Sequence, residues 1–310
     1  MENLYPILEQ LLLMAVLIAL GFYLKRSGKI NQEAESGIAE LTIDIAFPAL
    51  IFTNIVKDFN LNMLKRYLIM PLSSFIITLS SIIIIILITK LLKYSKKEGE
   101  ETAFVTSFSN NIFVGAPICL AVFGSQGLIL AILYDFGMHL VIWTFGIWLL
   151  NNDRKNNQSN FFKNIFSPPI IALLISISIV IIGINVPNFL VNITGSIGNI
   201  TVPLAMIFIG LQLAKSRLKD IIFNKKIYLV SFLRLLFFPA LVYFILSFLF
   251  LPVLLSGVIT LLSAMPVFAS SPVIMKKFGH KSDFASEAIF ATIVLMVFTI
   301  PLFIYLISYF

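Results

Sequence analysis

Thr106-Ser-Phe-Ser-Asn-Asn-Ile-Phe-Val-Gly-Ala-Pro-Ile118 lies within an apolar segment that is long enough to cross a membrane. Asn110, Asn111, Gly115 and Pro117 interrupt that segment in its middle. A proline removes one backbone donor and clashes with the preceding turn, so hydrocarbon tolerates it only where protein or a water-filled cavity satisfies the freed carbonyls. The stretch therefore predicts a broken transmembrane helix, and the break is a candidate binding site.

The composition excludes a soluble globular protein. Of the 310 residues, 59% are hydrophobic and only 12% are charged, and the mean hydropathy is +1.00. We therefore expect an all-α integral membrane protein whose partner is the lipid bilayer. The single cysteine, Cys119, excludes an internal disulfide. No nucleotide, metal or nucleophile motif is present, so we expect no enzyme activity, no resident cofactor or metal ion, and no nucleic-acid partner.

Ten segments of about 20 mainly apolar residues are long enough to form spanning helices. They are residues 4–24, 36–56, 67–89, 103–123, 128–150, 166–184, 190–213, 227–250, 254–275 and 285–308. Lys25 and Arg26 follow the first segment and no basic stretch precedes it, so that segment predicts a spanning helix and not a cleavable signal.

The basic residues lie almost entirely on one side of this ten-helix frame. Eighteen of the 22 Lys and Arg residues fall in loops on that side, and Arg234 lies within a span. The other side carries only Lys57, Lys65 and Arg66. Because cytoplasmic loops are enriched in Lys and Arg, we expect a multi-pass protein of the cell membrane with both termini on the extracytoplasmic side.

The two halves of the chain share a spacing of prolines. Pro117 and Pro272 are 155 residues apart, as are Pro48 and Pro203. Because five spans is an odd number, a second five-span copy must be inverted relative to the first, as is common in secondary transporters. The predicted organisation is a first five-helix repeat at residues 1–150, a cytoplasmic linker at 151–163 and a second, inverted repeat at 164–310.

The second copy contains a matching broken span at residues 262–274, with Pro266, Pro272, Ser270 and Ser271. Paired interrupted segments in matching positions indicate a binding site near the membrane midplane. Where the two breaks cross, half-helix N-termini present unpaired amides and positive dipole ends, which favour an anion. The candidate substrate-binding residues are Asn110, Asn111, Gly115, Pro117, Pro266, Ser270, Ser271 and Pro272.

Each of these residues also has a structural interpretation. The amides of Asn110 and Asn111 either donate to a substrate carboxylate or only cap the broken helix. Pro117, Pro266 and Pro272 either shape the crossover or are simple helix kinks, which are frequent in membrane helices.

Ionisable residues inside spans are candidates for ion coupling, because their burial in lipid is costly. Asp44 is either a proton or cation site or the partner of a cation within the same domain. Asp135 and His139 are one helical turn apart and form either a proton relay or a structural pair. Arg234 either counters an anionic substrate, pairs with a carboxylate or extends along the helix to the cytoplasmic surface.

Motifs along essentially the whole chain resemble the auxin efflux carrier family, which includes plant PIN proteins and bacterial carriers of malate, malonate and similar acids. Each motif is short, but their order and spacing together are specific. They include Ala46-Phe-Pro-Ala-Leu50, Ser107-Phe-Ser-Asn110, Phe113-Val-Gly-Ala-Pro-Ile118, Phe123-Gly-Ser-Gln-Gly127, Val202-Pro-Leu-Ala205, Ala264-Met-Pro266 and Thr299-Ile-Pro301. The chain departs from the pattern at Ile112, where many relatives have Gly, and at Ser270, where bacterial relatives often have Asn.

The resemblance implies a fold similar to that of bile-acid sodium symporters and sodium/proton antiporters, with broken helices 4 and 9 crossing. It implies that helices 1, 2, 6 and 7 form a scaffold and the interface of a homodimer. Helices 3–5 and 8–10 would form a transport domain that contains the crossover.

We therefore expect a secondary transporter of a small organic anion, such as malate, malonate or an auxin-like acid, with an elevator-type alternating-access mechanism. Because no ATP-binding motif is present, the driving force is the gradient of a coupling ion, H⁺ or Na⁺, a counter-substrate or the membrane potential. A sodium- or proton-coupled cation antiporter is an alternative, but the chain has no acidic residue between Thr102 and Tyr134, where such carriers need one. A non-transporting membrane receptor is the alternative from another class.

Overall fold

The computed structural model describes residues 4–58, 66–150, 168–214 and 224–310. Over these residues the regular secondary structure is helical, apart from one antiparallel β-bridge between Ser109 and Val267. The all-helical prediction is confirmed. The predicted linker 151–163 lies outside the described residues.

The bounds of the helices in the described parts of the chain are as follows. The α-helices are α1 (Leu4–Arg26), α2 (Gln32–Glu40), α3 (Phe47–Asp58), α4 (Ile69–Leu91), α5 (Lys96–Ser107), α6 (Ala116–Val141), α7 (Ile147–Leu150), α8 (Pro168–Ile182), α9 (Asn188–Gly198), α10 (Thr201–Leu213), α11 (Lys225–Phe232), α12 (Phe238–Ser247), α13 (Val253–Ser263), α14 (Ser271–Lys277) and α15 (Ser282–Ile307). Wider π-helical turns lie at Leu41–Ala46, Asn111–Gly115, Ile142–Gly146 and Leu233–Phe237.

Six helical segments of the described chain are long and apolar enough to cross a membrane, as expected for an integral membrane protein. They are Gln32–Lys57, Ile69–Leu91, Asn111–Leu150, Asn188–Leu213, Lys225–Ser247 and Ser282–Ile307. Two shorter apolar helices are Pro168–Ile182 and Val253–Ser263.

The segment Asn111–Leu150 is too long for one straight span, and Gly124 divides it. Gly124 has φ 65° and ψ −160°, which lie outside the helical region. A side chain at this positive φ would be strained, so glycine suits the position. The sequence boundary between the predicted fourth and fifth spans falls within a few residues of this break.

The chain divides into two compact units, and each takes segments from both halves of the sequence. Unit 1 comprises Met1–Leu68, Ala116–Ile132 and Phe162–Lys215. Unit 2 comprises Ile69–Gly115, Leu133–Phe161 and Ser216–Phe310.

Unit 1 is held together by close helix packing that depends on glycine. A Cβ atom on Gly210 of α10 would lie 2.0 Å from the carbonyl oxygen of Ile18 in α1, and one on Gly21 would lie 2.1 Å from the carbonyl oxygen of Ile207. The two backbones therefore touch, as small residues allow between membrane helices. At one end of α1, Lys25 forms a 2.7 Å ion pair with the buried carboxylate of Glu35.

Unit 2 contains the first broken segment as far as Gly115 and the whole of the second. Its helix α5 begins with a capping box, in which Ser95 accepts from the amide of Glu98 and the Glu98 carboxylate accepts from the amide of Ser95. Further along the same unit, a Cβ atom on Gly137 of α6 would lie 2.1 Å from the carbonyl oxygen of Pro71 in α4. Unit 2 thus contains a capped helix α5 and a close contact between α4 and α6.

Candidate functional site

The two broken segments meet at residues 108–110 and 266–268, both within unit 2. The amide of Asn110 donates to the carbonyl oxygen of Pro266 at 2.8 Å, and the amide of Phe268 donates to that of Phe108 at 3.0 Å. These two bonds flank the antiparallel bridge between Ser109 and Val267. The breaks in the two helices are therefore ordered, and each satisfies backbone groups of the other. We call these residues the crossover.

Four helix ends converge on the crossover. Helix α5 ends at Ser107 and helix α13 ends at Ser263, so both contribute C-terminal carbonyls. The π-helical turn Asn111–Gly115, continued by α6, and helix α14, which starts at Ser271, both begin there. Two negative and two positive helix ends thus lie in one small buried region.

The prolines Pro117 and Pro272 occupy equivalent places in the two segments. Each lies in the first turn of the helix that follows the break, α6 for Pro117 and α14 for Pro272. In α14 proline suits that turn, because its missing N–H would have no partner within the helix. In α6, which continues the π-helical turn Asn111–Gly115, Pro117 instead removes one bond of the helical stretch. Pro266 supplies a carbonyl to the crossover itself.

Arg234 binds the two C-terminal helix ends. Its Nε donates to the carbonyl oxygen of Met265 at 2.8 Å, and its Nη1 lies 3.5 Å from the carbonyl oxygens of Thr106 and Ser107. The residue is 4% exposed, and it forms no ion pair with a carboxylate of the described residues. A fixed positive charge therefore compensates the helix ends that repel an anion.

Asn110 and Asn111 lie where the second half of the first segment begins. Asn110 Oδ1 accepts from the amide of Phe113 at 3.2 Å, which is an N-cap contact. Asn111 Nδ2 lies 3.4 Å from the sulfur of Met138, which also accepts from the amide and hydroxyl of Ser109 at 3.3 and 3.4 Å. Each asparagine thus uses one end of its amide to support the fold.

The other ends of these side chains have no hydrogen-bond partner among the described residues. The same holds for several buried polar atoms at the helix ends around them. The set comprises Asn110 Nδ2, Asn111 Oδ1, Thr106 Oγ1, Ser107 Oγ, Ser271 Oγ and Arg234 Nη2. Buried polar groups without protein partners are costly, so their concentration at the crossover makes it the candidate binding site.

The remaining candidate residues of the breaks serve the shape of the crossover. A Cβ atom on Gly115 would lie 2.6 Å from Leu262 Cδ2 and 3.1 Å from Met265 Cγ, so glycine lets the segments approach. Ser270 is half-buried and directly precedes α14, and its side chain makes no capping bond. The amides that follow it in α14 include that of Ser271, which bonds back to the carbonyl oxygen of Phe268 at 3.0 Å.

Of the candidates for ion coupling, the structure brings Asp135 and His139 together beside the crossover. His139 Nδ1 lies 3.0 Å from Asp135 Oδ2, and the imidazole packs edge-on against Phe268 with ring centroids 5.8 Å apart. Asp135 Oδ1 is buried without a hydrogen-bond partner in the described part of the chain. The pair thus contacts Phe268 of the crossover through His139.

Asp44 belongs to unit 1 and is not part of the crossover. It lies in the π-helical turn Leu41–Ala46 with an exposed side chain. No cluster of three or more potential metal ligands occurs among the described residues.

Sequence reasoning missed two groups of residues in unit 2. Met138 and Thr292 support the crossover through a sulfur and a hydroxyl, the latter accepting from the amide of Val267 at 3.2 Å. Glu101 and His280 form a buried contact although they are 179 residues apart. Neither group has a local motif, and only an inspection of every ionisable residue near a predicted span end would have drawn attention to Glu101.

Sequence comparisons agree with a membrane protein of this kind. A family model described as a membrane transport protein matches residues 6–304. The chain is 30% identical over 303 residues to an uncharacterized transporter of Methanothermobacter thermautotrophicus, covering 95% of this chain and 96% of the relative. It is 27% identical over 217 residues to an uncharacterized transporter of Methanocaldococcus jannaschii, covering 68% of this chain and 70% of the relative.

Proposed function

Because the chain belongs to the membrane transport protein family, as its resemblance to the auxin efflux carriers predicted, we propose that it is a secondary carrier that moves a small organic anion by alternating access. The cargo is a mono- or dicarboxylate of the size of malate, malonate or an indole acid. It binds at the crossover in unit 2.

The observation that carries this proposal is the charge arrangement at the crossover. The two helix ends that would repel an anion are already bound by Arg234, whereas the two N-terminal ends that attract one keep their positive dipoles. The segments 102–134 and 253–282 contain no acidic residue. Asp135, one residue beyond the first of these segments, is paired with His139, so Arg234 and the helix dipoles are the charges that favour a carboxylate.

Each residue of the breaks has a role in this account. Asn110 Nδ2 and the hydroxyl of Ser271 donate to the carboxylate, and both are buried without other partners in the described structure. Asn111 and Ser270 line the same region and adjust its size. Gly115, Pro117, Pro266 and Pro272 hold the helix ends in place.

The proposed architecture is the ten-span inverted repeat in a cell membrane, with the basic loops in the cytoplasm. The broken segment of α5 and α6 and that of α13 and α14 support it, since both carry a proline in the first turn after the break. The proposed mechanism is an elevator-type movement of the helices that form the crossover. We further propose that two copies of the chain form a homodimer through the predicted scaffold helices 1, 2, 6 and 7.

Coupling to an ion gradient would use the Asp135 and His139 pair. Both side chains lie beside the crossover, and histidine changes charge near neutral pH. The same pair favours a second candidate function, a proton-coupled cation antiporter in which Asp135 holds the cation. Asp44, exposed in unit 1, is the weaker coupling candidate, because it is not part of the crossover.

A ligand screen tests the proposal directly. Purified protein is heated in detergent with monocarboxylates, dicarboxylates or indole acids, with and without Na⁺ and at two pH values. We expect a carboxylate to raise the unfolding temperature of the wild type and to have no effect on Asn110→Asp. The aspartate keeps the oxygen that caps Phe113, but it lacks the donor and adds a repelling charge. If only cations stabilise the wild type, the antiporter replaces the anion carrier.

A further inference from the structure

Glu101 and His280 form a buried contact at the ends of the two half-helices that lie away from the crossover. Glu101 is in the second turn of α5, and His280 is in the loop between α14 and α15. His280 Nδ1 lies 3.1 Å from Glu101 Oε1, and His280 Nε2 lies 2.9 Å from the carbonyl oxygen of Leu150, the last residue of α7. Glu101 is 6% and His280 is 7% exposed.

The hydrogen-bond chemistry of this contact requires a proton. The carbonyl of Leu150 can only accept, so Nε2 must carry hydrogen. If the imidazole is neutral, Nδ1 then presents a lone pair to Glu101 Oε1. Two lone pairs 3.1 Å apart repel each other, so the contact needs one more proton, either on Nδ1 as an imidazolium or on the Glu101 carboxyl. Losing that proton converts the contact into a repulsion.

None of the neighbouring groups that the structure describes donates a hydrogen bond to His280 Nδ1, so they do not remove the need for the extra proton. The amide of Lys281 donates to the same Oε1 at 3.4 Å, and Lys97 Nζ donates to the carbonyl oxygen of Gly279 at 3.2 Å. The Glu98 carboxylate is bound by Lys226, which, together with Ser95, lowers the pKa of Glu98 to about 2. The charged side chains on the elements that meet here are Lys96, Lys97, Glu98 and Glu100 of α5, Lys276, Lys277 and Lys281 beside the loop, Asp283 and Glu287 of α15, and Lys225 and Lys226 of α11.

We propose that Glu101 and His280 form a proton-binding site that fastens both half-helices of the crossover to the end of α7 while the proton is bound. The site links α5, which leads into the crossover, with the loop that follows α14, which leads out of it. Proton loss replaces the hydrogen bond between His280 and Glu101 by a repulsion and so weakens the attachment of the loop at residues 278–281 to α5, while Nε2 still donates to Leu150. The contact is therefore intact at low pH and is lost as the pH rises.

This step rests on the proposed function. In that carrier, proton binding and release at the Glu101–His280 site control how firmly the half-helices of the crossover are held. A proton bound here holds the half-helices in the arrangement described. Its release lets the two half-helices move independently. The site is separate from Asp135 and His139, which lie on α6 beside Phe268.

Histidine spectroscopy tests the proton site without a transported substrate. The chain contains only two histidines, so ring-labelled protein in lipid gives two imidazole signals, and His139→Gln identifies that of His280. We expect the His280 ring nitrogens of the wild type to report the loss of one proton from the pair as the pH is raised, either because Nδ1 loses its hydrogen or because Glu101 loses the proton that Nδ1 accepts. In Glu101→Gln the side-chain amide donates to Nδ1, so the ring should stay neutral throughout. A wild-type ring that does not change, or a variant ring that titrates as the wild type does, overturns the proposal.

Amide hydrogen exchange on the same samples measures whether proton loss loosens the loop. After correction for the intrinsic pH dependence of exchange, the amides of residues 278–282 should exchange at least about tenfold faster above the transition, equivalent to about 1.4 kcal/mol, in the wild type but not in Glu101→Gln. The start of α5 is the internal control, because the pKa of Glu98 near 2 keeps its bond to Lys226 charged on both sides of this transition. Equal exchange at both pH values in the wild type contradicts the proposal. If the proton site is found but carboxylates are neither bound nor transported, the proposed function is wrong and the proton site still stands.

Discussion

Arg234 shows how one side chain determines what the crossover can bind. The sequence placed it inside a span and left three roles open. The structure shows carbonyl partners on two different helix ends and a buried guanidinium. No sequence pattern could assign these partners, because Thr106 and Met265 are brought to Arg234 only by the crossing of two distant segments.

Replacing Arg234 tests this role. Arg234→Met should lower the stability of the protein by about 3 kcal/mol, since hydrogen bonds to a charged group contribute about 1.5–3 kcal/mol each. Arg234→Lys should recover part of the loss, because it keeps the charge but not the forked donors. The measurement is thermal unfolding in detergent.

Lys90→Met is the matched control for Arg234→Met. Lys90 is an exposed cation in the last turn of α4 in the same unit. Its replacement should change the stability by no more than about 0.5 kcal/mol. Equal effects of the two methionine variants would show that Arg234 has no special role at the crossover.

At the scale of elements, the sequence predicted the two broken helices, but it did not predict how the two breaks contact each other. Asn110, Gly115 and the prolines predicted two interruptions, because each is unfavourable in a continuous apolar helix. The antiparallel bridge between Ser109 and Val267 could not be predicted, since it joins residues 158 positions apart. The sulfur of Met138 was likewise missed, because a methionine in an apolar helix carries no polar signal.

The close contact of α1 with α10 gives a prediction for unit 1. Gly210→Ala should destabilise the protein by about 1–3 kcal/mol, because its Cβ would meet the backbone of Ile18 and force the helices apart. Gly37→Ala is the control, since a Cβ at this position of α2 meets nothing within 4 Å and should stabilise the helix by up to about 1 kcal/mol. Thermal unfolding of the two variants should shift in opposite directions. A stable Gly210→Ala protein would contradict the described packing.

At the scale of the whole molecule, composition alone indicated a membrane protein, and the family follows from motifs spread over the chain. The two compact units could not be drawn from a division of the sequence at residue 150, because each unit combines segments from both halves. The pairing of α1 with α10 and of α5 with α14 depends on the folded chain. Local hydropathy contains no information on such pairings.

The topology gives a prediction at this scale. Eighteen of the 22 basic residues lie on the side that we assign to the cytoplasm, so tags at the N- and C-termini should both be accessible from outside the cell. The measurement is labelling of intact cells with a membrane-impermeant reagent. A tag in the loop near Lys93, between α4 and α5, is the control and should be labelled only after permeabilisation. Finding either terminus inside would require a different number of spans.

Counterflow in proteoliposomes tests the central claim most directly. Vesicles loaded with an unlabelled carboxylate that binds in the ligand screen are diluted into the same labelled compound, and its uptake is followed for wild type and Asn110→Asp. The wild type should accumulate the label transiently, and Asn110→Asp should not, when equal amounts of folded protein are reconstituted; its carboxylate can still cap Phe113 but repels the anion. Wild-type vesicles that bind the carboxylate without counterflow, or an Asn110→Asp variant that transports normally, would contradict an anion carrier with its site at the crossover.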